Sequence, residues 1–197
     1  LYAFYEPAAI DKVKEAIYRC FALWPAMHSA LDLLEQVATQ AGDVRLALTV
    51  FSKLAGDTRD KQAQVDLHLR IGQVLLSKLN DPVGASEAFE CAAKLDPTRP
   101  DAAELASEGL IAVGRLAEGM KLLERHLETL RDKEAQVALR LNLAELARKL
   151  LKDPQASRAH VEAAHRVDPT NSEVAYRLVG LYLDEAHLEA LWPMLEL

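Results

Sequence analysis

The sequence has few of the residues that interrupt helices or build sheets. Of 197 residues only 8 are glycine and 8 are proline, and aromatic residues make up 6%. Ala, Leu, Glu, Arg and Lys dominate, which is the composition of helices rather than of sheets. Because 50% of the residues are hydrophobic, the chain can bury a substantial core, and we expect a folded all-α protein.

Cysteine and positive charge are also scarce. Cys20 and Cys91 lack both the density of a disulfide-stapled secreted domain and the CxxC spacing of a zinc site. Both fall on helix-like apolar faces, so we expect two small buried side chains. The formal charge of -7 argues against binding to nucleic acid or to an anionic membrane, since both require a basic surface. A partner with a basic or mixed surface fits better.

Long apolar runs are missing as well. No run approaches the ~20 residues that a helix needs to cross a bilayer, so we expect no membrane insertion and a cytoplasmic location. The sequence starts at Leu1 without Met and stops at Leu197 within an apolar pattern, so we expect an excerpt of a longer protein.

An internal repeat organises the chain. Shifting the sequence by 72 residues aligns 61–98 with 133–170 without a gap, and 14 of the 38 positions are identical, where chance gives roughly three. In the first copy the apolar residues recur at steps of three and four, as on one side of a helix. Asp81-Pro82 and Asp153-Pro154 then predict a capped start of a second helix. Each second helix should stop at an Asp-Pro, because the residue before proline is disfavoured in the α region.

The unit is therefore a pair of helices in about 36 residues, and it occurs several times. The segment between the two copies breaks at Gly114-Arg115, and the segment upstream turns at Gly42-Asp43. We expect Trp24 and Trp192 to pack between helices, and a new helix to begin at Pro193. The predicted units are a preceding second helix over 1–25, full repeats over 26–60, 61–99, 100–132 and 133–171, and a partial repeat over 172–197.

These residues resemble the tetratricopeptide repeat family, whose period is near 34 residues. Ala47 and Phe51, then Ala85, Phe89 and Ala92 before Pro97, and Ala164 before Pro169 follow the family's order of small, large, small and proline. Ile71-Gly72 stands where the family has Leu-Gly. The family's first-helix Trp is replaced by Leu31, His68, Ala103 and Arg140, and the Asp-Pro turns carry an extra residue. The alternation of Asp-Pro and Gly-Arg turns is similar to long arrays of bacterial proteins, some of them in motility and polarity machinery.

The resemblance implies a right-handed α-solenoid of stacked antiparallel helix pairs, in which first helices line a concave groove that binds a protein segment. Applied unit by unit, the family pattern places polar residues there. The principal binding residues are expected to be Asp66, Arg70, Gln73, Glu104, Glu108, Asn142, Glu145, Lys149, Tyr176 and Arg177, with Asp32, Gln36, Gln40 and Ser77 beside them. Family members that clamp a terminal carboxylate use a Lys/Arg and Asn set, at which only Arg70, Asn142 and Lys149 hint. The excess of carboxylates favours a basic or amphipathic partner segment, although such charges also occur on faces that are simply solvated.

Nothing in the sequence indicates catalysis. His160 and His165 are five residues apart, about 140° around a helix, so they do not form the i, i+4 pair that binds a metal. The glycines do not form a phosphate-binding loop, and no serine lies in a GxSxG elbow. We therefore expect no enzyme, no cofactor, no metal and no small-molecule substrate.

Three functions stay open at this point. The chain is a non-catalytic scaffold that binds another protein, a spacer within a longer solenoid, or an accessory domain of an enzyme whose catalytic part lies elsewhere.

Overall fold

A computed structural model of the chain describes residues 7–24 and 28–184. The described residues form helices and no strand, which confirms the all-α prediction. The chain divides into two compact units, one up to Gly114 and the other from Arg115 onward. Parts of the predicted segments 1–25 and 172–197, including Trp192 and Pro193, lie outside the described residues.

The described residues of unit 1, 7–24 and 28–114, form six helices, which alternate between first and second helices of the predicted repeats. Antiparallel neighbours along the chain pack on one another, with α4 and α5 in extensive contact, followed by α5 with α6 and α3 with α4. The bounds are α1 Pro7–Leu23, α2 His28–Gln40, α3 Val44–Asp57, α4 Lys61–Leu79, α5 Pro82–Leu95 and α6 Pro100–Ala112.

Unit 2 repeats this pattern, with four α-helices over its described residues 115–184. The first helix of its complete pair, α8, continues into a π-helical turn before the chain reverses into α9. The bounds are α7 Leu116–Thr129, α8 Lys133–Leu146, the π turn Ala147–Leu151, α9 Pro154–Val167 and α10 Ser172–Asp184. Since α6 and α7 belong to different units, the repeat over 100–132 stays a prediction.

The core of unit 1 follows from the helical periodicity. Phe51 and Leu34 are fully buried between α2, α3 and α4, where they contact Leu67 and Val74. Such large apolar side chains contribute roughly 1.5–3 kcal/mol each when buried. Unit 2 has two smaller clusters, one around Leu143 and one around Val161. A single helix pair could not bury these faces alone, so the pairs must stack.

One backbone geometry recurs at four turns between consecutive helices. Gly42, Asn80, Gly114 and Lys152 all have positive φ, between 51° and 83°. The residue that follows caps the next helix: Asp43, Asp81 and Asp153 accept a hydrogen bond from a backbone amide of its first turn. Arg115 occupies the same place without a side-chain capping bond. The predicted capping role of Asp81 and Asp153 is confirmed.

The two Asp-Pro-Thr segments end their helices as predicted. Helix α5 stops at Leu95 and α9 at Val167, each with the following aspartate as its C-cap. Asp96 accepts bonds from the Thr98 amide at 3.0 Å and hydroxyl at 2.6 Å, and Asp168 does the same with Thr170 at 3.0 and 2.7 Å. The hydroxyl bonds lower the pKa of both carboxyl groups.

Two packing predictions were wrong. Trp24 is 61% exposed, because α1 ends at Leu23 and the tryptophan does not continue the buried stripe of Ile17 and Phe21. Cys91 is exposed and Cys20 half-buried. Helix α5 buries the side that carries Phe89 and its neighbouring alanines, and Cys91 lies about 200° around the axis from Phe89.

Candidate protein-binding surfaces

An ion-pair network joins the first helices of unit 1. Arg70 of α4 donates to Asp32 of α2, lies 3.8 Å from the carboxylate of Glu35, and reaches the carbonyl oxygen of His28 at 3.5 Å. Its guanidinium also lies 5.7 Å from the centroid of the Phe51 ring. Arg70 therefore has several partners within the protein, which leaves it poorly placed as one of the cations of a carboxylate clamp.

A second guanidinium extends this network to α6. Arg99, the residue before α6, bonds Asp66 of α4 at 2.6 Å and Asp101 at 2.5 Å. The carboxylates of Asp101 and Asp66 raise the pKa of Arg99, and the Arg99 guanidinium lowers that of Asp101. His28 of α2 approaches Asp66 at 3.9 Å. Three first helices are thus tied together by charges that the sequence pattern had assigned to a partner.

The residues around Arg70 form an open cleft of about 620 Å³ between α2 and α4. It brings together five of the side chains that were expected in the groove: Asp32, Gln36, Gln40, Arg70 and Gln73. Its lining comprises Asp32, Glu35, Gln36, Thr39, Gln40, Arg70, Gln73 and Lys78. Carboxylates and amides at this density can accept hydrogen bonds from a partner chain.

Glu104 and Glu108 stand apart from the network. Both are exposed on α6, one helical turn apart, and the described part of the chain gives neither a hydrogen bond nor an ion pair. Unlike Asp66, which Arg99 neutralises, these two carboxylates carry charge that only solvent or a partner compensates.

Unit 2 has a different cleft, of about 450 Å³, between α8, the π turn, α9 and α10. Three predicted residues line it: Glu145, Tyr176 and Arg177. Tyr176 is 81% exposed. The remaining lining residues are Ala144, Arg148, Ser157, Val161, Gly180 and Leu181.

The charges at this second cleft are partly paired. Lys149 bonds Glu145, and Arg177 bonds Glu173 at 2.8 Å. The pKa of Glu145 is lowered chiefly by Lys149, with smaller effects from Arg177 and Arg148. The predicted residue Asn142 is exposed on α8 and does not line the cleft.

Sequence reasoning missed several charged residues of these surfaces, among them Glu35, Arg99 and Arg148. Arg99 follows Asp66 by 33 residues, close to one repeat, and that spacing could have indicated a contact between neighbouring units. Arg148 lies four residues after Ala144 and three after Glu145, so the helical spacing could have placed it on the face that carries the predicted Glu145.

Metal ligands, titratable histidines and apolar helices are the other features that bear on function. Within 7–24 and 28–184, no three side chains of His, Cys, Asp or Glu come together as a metal site. Burial lowers the pKa of His68, and it lowers that of His160 despite Glu124 at 4.0 Å. Of the helices that the structure describes, none combines the length and the apolar character needed to span a membrane.

No protein-family model matches the chain, and no curated protein matches it. Solved structures do. MamA is 13% identical with a TM-score of 0.50, over 76% of this chain and 82% of that one. A MamA RS-1 ArsTM double mutant is 16% identical with a TM-score of 0.51, over 80% and 84%. TTC0263, a thermophilic TPR protein of Thermus thermophilus, is 17% identical with a TM-score of 0.45, over 89% and 92%. At these identities the likeness to the MamA structures shows a shared fold and nothing further.

Proposed function

From the tetratricopeptide repeat fold that its structural neighbours establish, we propose that this chain is a non-catalytic scaffold that binds a basic or amphipathic segment of another protein. The segment lies along the first helices of unit 1. The observation that carries the proposal is the pair of uncompensated carboxylates, Glu104 and Glu108, on the exposed face of α6. We further propose that the scaffold belongs to a larger protein, with bacterial motility or polarity machinery as its setting, since the turn alternation resembles long arrays of that kind.

The charge balance of unit 1 supports a basic occupant. Its first helices and the residue before α6 carry six carboxylates against four cations: Asp32, Glu35, Asp66, Asp101, Glu104 and Glu108 against Arg70, Arg99, Lys61 and Lys78. A surface with this excess accelerates association with a cationic segment and disfavours an anionic one.

The ion-pair network supports the proposal in a second way. Arg99 and Arg70 hold the carboxylates of α2 and α4 in fixed positions, with 20–25% of each guanidinium side chain exposed. A surface that is ordered before binding loses less side-chain entropy when the partner docks.

A charge-reversal experiment tests the proposal. A capped amphipathic peptide of leucine and lysine is titrated into the parent chain and into the Glu104→Lys, Glu108→Lys variant at two salt concentrations. The parent should bind, and the variant should bind at least tenfold more weakly with a flatter salt dependence, because two attractive charges become repulsive toward the peptide.

Two controls sharpen this result. Glu87→Lys with Glu128→Lys changes the net charge equally but on second helices, so it should retain most of the binding. The same peptide with glutamate in place of lysine should not bind the parent. Equal loss in both double variants would mean that net charge, and not the α6 surface, attracts the peptide.

A spacer role is the second candidate, and the same network favours it. Asp32, Asp66 and Arg70 all find partners within unit 1, so much of the predicted binding face stabilises the stack of helices. If the peptide binds neither the parent nor the variants, the charges of α2 and α4 are structural and the spacer function is preferred.

A further inference from the structure

The unit 2 cleft differs from the corresponding positions of unit 1 in both charge and shape. At the 72-residue offset, Tyr176 and Gly180 of α10 stand where α6 has Glu104 and Glu108. Arg148 of the π turn stands where α4 has Leu76. The repeat has thus replaced two carboxylates and an aliphatic side chain by an aromatic ring, an open backbone and a cation.

The cleft has a buried apolar floor below an exposed rim. Val161 and Ala144 are 2% and 3% exposed, and Leu181 is half-buried beside them. Tyr176 and Arg148 on the rim are exposed. A volume of about 450 Å³ lies within the range of small ligand sites.

Arg148 is the uncommitted cation of this cleft. Glu145 is held by Lys149, and Arg177 is held by Glu173, whereas Arg148 makes no hydrogen bond or ion pair within the described residues. A guanidinium has five donors arranged to meet a carboxylate, and it binds one more strongly where neighbouring surface excludes water. The pKa of Glu145 is lowered first by its hydrogen bond with Lys149, and the charge of Arg148 adds a smaller effect.

Tyr176 supplies the apolar part of the recognition. With 81% of its surface in solvent, the ring packs against little of unit 2. Aromatic and arginine side chains contribute a large share of the binding free energy at protein interfaces. A ring and a guanidinium on one rim suit an acidic residue followed by an apolar one.

We propose that this cleft binds an acidic side chain of a partner protein, with its carboxylate on Arg148 and the neighbouring apolar side chain between Tyr176 and the floor of Val161. The ligand is an internal acidic residue, recognised by its side chain. This inference concerns unit 2 alone and does not depend on the basic segment proposed for unit 1, so Glu104→Lys with Glu108→Lys should leave it unchanged.

The test is an NMR titration of the isotope-labelled full chain with capped dipeptides. N-acetyl-Glu-Leu-N-methylamide should produce saturable shifts at the Arg148 side chain, Tyr176 and Gly180. The glutamine version should bind about tenfold more weakly, because an uncharged amide replaces the carboxylate, and the lysine version should not bind. If the glutamine version binds as tightly as the glutamate version, the proposal is wrong.

Variants locate the site. Arg148→Gln should weaken the glutamate probe about tenfold, whereas Arg166→Gln, an exposed arginine of α9 outside the cleft, should leave it unchanged. Tyr176→Ala should weaken the glutamate and glutamine probes equally. Circular dichroism of each variant separates lost binding from lost folding, and an Arg148→Gln chain that is folded and binds normally would overturn the assignment.

Two further outcomes would replace the proposed occupant. If N-acetyl-leucine with a free carboxylate binds as well as the capped glutamate probe, the cleft recognises a chain terminus rather than a side chain. If Arg148 and Tyr176 shift with protein concentration before any probe is added, the occupant is a second copy of this chain. Either result contradicts the proposal.

Discussion

The pair α4–α5 in unit 1 and the pair α8–α9 in unit 2 occupy the same register, yet their helices meet through different side chains. In the first pair Gly72 lies against Phe89, and a Cβ added to this glycine would be 2.3 Å from Cε1 of the ring. At the 72-residue offset the second pair has Ala144 and Val161, which share one buried cluster.

In each pair of helices, a larger side chain on one helix faces a smaller one on the other. A large ring opposite no side chain and a smaller valine opposite a methyl group both fill the space between paired helices. The two copies therefore keep a similar combined side-chain volume at this contact, although neither residue is the same.

Exchanging one partner of this contact should give the largest effect on stability. Gly72→Ala should lower the free energy of unfolding by about 2–3 kcal/mol, because Phe89 cannot move away within a close-packed core. Adding Phe89→Val should recover part of that loss, with a coupling of about 1–2 kcal/mol in urea unfolding. If the two substitutions lower the free energy of unfolding additively, the residue pairs Gly72–Phe89 and Ala144–Val161 do not fill the space between the helices in equivalent ways.

The residue before α6 also differs from the residue before α10, and the two can be exchanged. Arg99 pairs with Asp66 and does not cap α6. At the 72-residue offset, Asn171 caps α10 by accepting bonds of 3.1 Å from two backbone amides. Unit 2 has Ala138 at the position of Asp66, so Asn171 has no equivalent carboxylate to pair with. Arg99→Asn should be neutral or destabilising in the parent. In an Asp66→Ala background it should stabilise by about 0.5 kcal/mol, because a cap is gained and only the bonds of Arg99 to Asp101 and Gln62 are lost.

Thermal unfolding of the four chains in this cycle measures the coupling between Arg99 and Asp66. A stabilising Arg99→Asn in the parent itself would show that the ion pair contributes less than a cap.

The turns that precede α5 and α9 differ by one side chain in a left-handed conformation. Asn80 tolerates its φ of 51°, but Lys152 has a similar φ of 55° without a side chain that favours it. Lys152→Asn should therefore raise the stability by about 0.5–1 kcal/mol, and Asn80→Lys should lower it by a similar amount. If Lys152→Asn raises the Tm and Asn80→Lys does not lower it, the effect comes from removing the lysine charge and not from the left-handed backbone.

The smallest expected difference concerns the Asp-Pro-Thr segments. Both aspartates have lowered pKa values, so each contributes stability above the unfolded-state pKa and loses it as the pH falls through the folded-state value. Asp96 also accepts a bond from Gln62 at 3.0 Å, where unit 2 has Glu134. Thr170→Val should thus bring the pKa of Asp168 closer to its ordinary value than Thr98→Val brings that of Asp96.

Carboxyl-carbon NMR titration measures both values. Gln62→Ala combined with Thr98→Val should remove the difference, and a difference that persists would assign it to the charge of Arg99.

Most of the fold was predictable because each helix start and stop depends on neighbouring residues. Asp81-Pro82 and Asp96-Pro97 act through capping and through the restricted backbone before proline, both of which are local. The exposure of Trp24 was not predictable, since it depends on where α1 ends and not on the apolar stripe.

The sequence predicted which side of each first helix carries the candidate binding residues, but it did not predict which of their charges pair with one another. The helical period places Asp66, Arg70 and Gln73 on one side of α4. Which charges neutralise one another depends on the distance between helices, so the partners Glu35 and Arg99 emerged only in three dimensions. In unit 2 the cleft likewise includes Arg148 and leaves out the predicted Asn142, a selection that depends on how α9 and α10 pack against α8.

The contact between Gly72 and Phe89 also constrains how such a gene can recombine. Because the two copies share Asp-Pro inside each pair, unequal crossover there would join α4 to α9, leaving a void beside Gly72, or α8 to α5, forcing Phe89 onto Ala144. Crossover at Asp-Pro-Thr keeps each pair intact. Arrays of this kind should therefore lengthen and shorten by whole helix pairs, with the breakpoints between pairs and not within them.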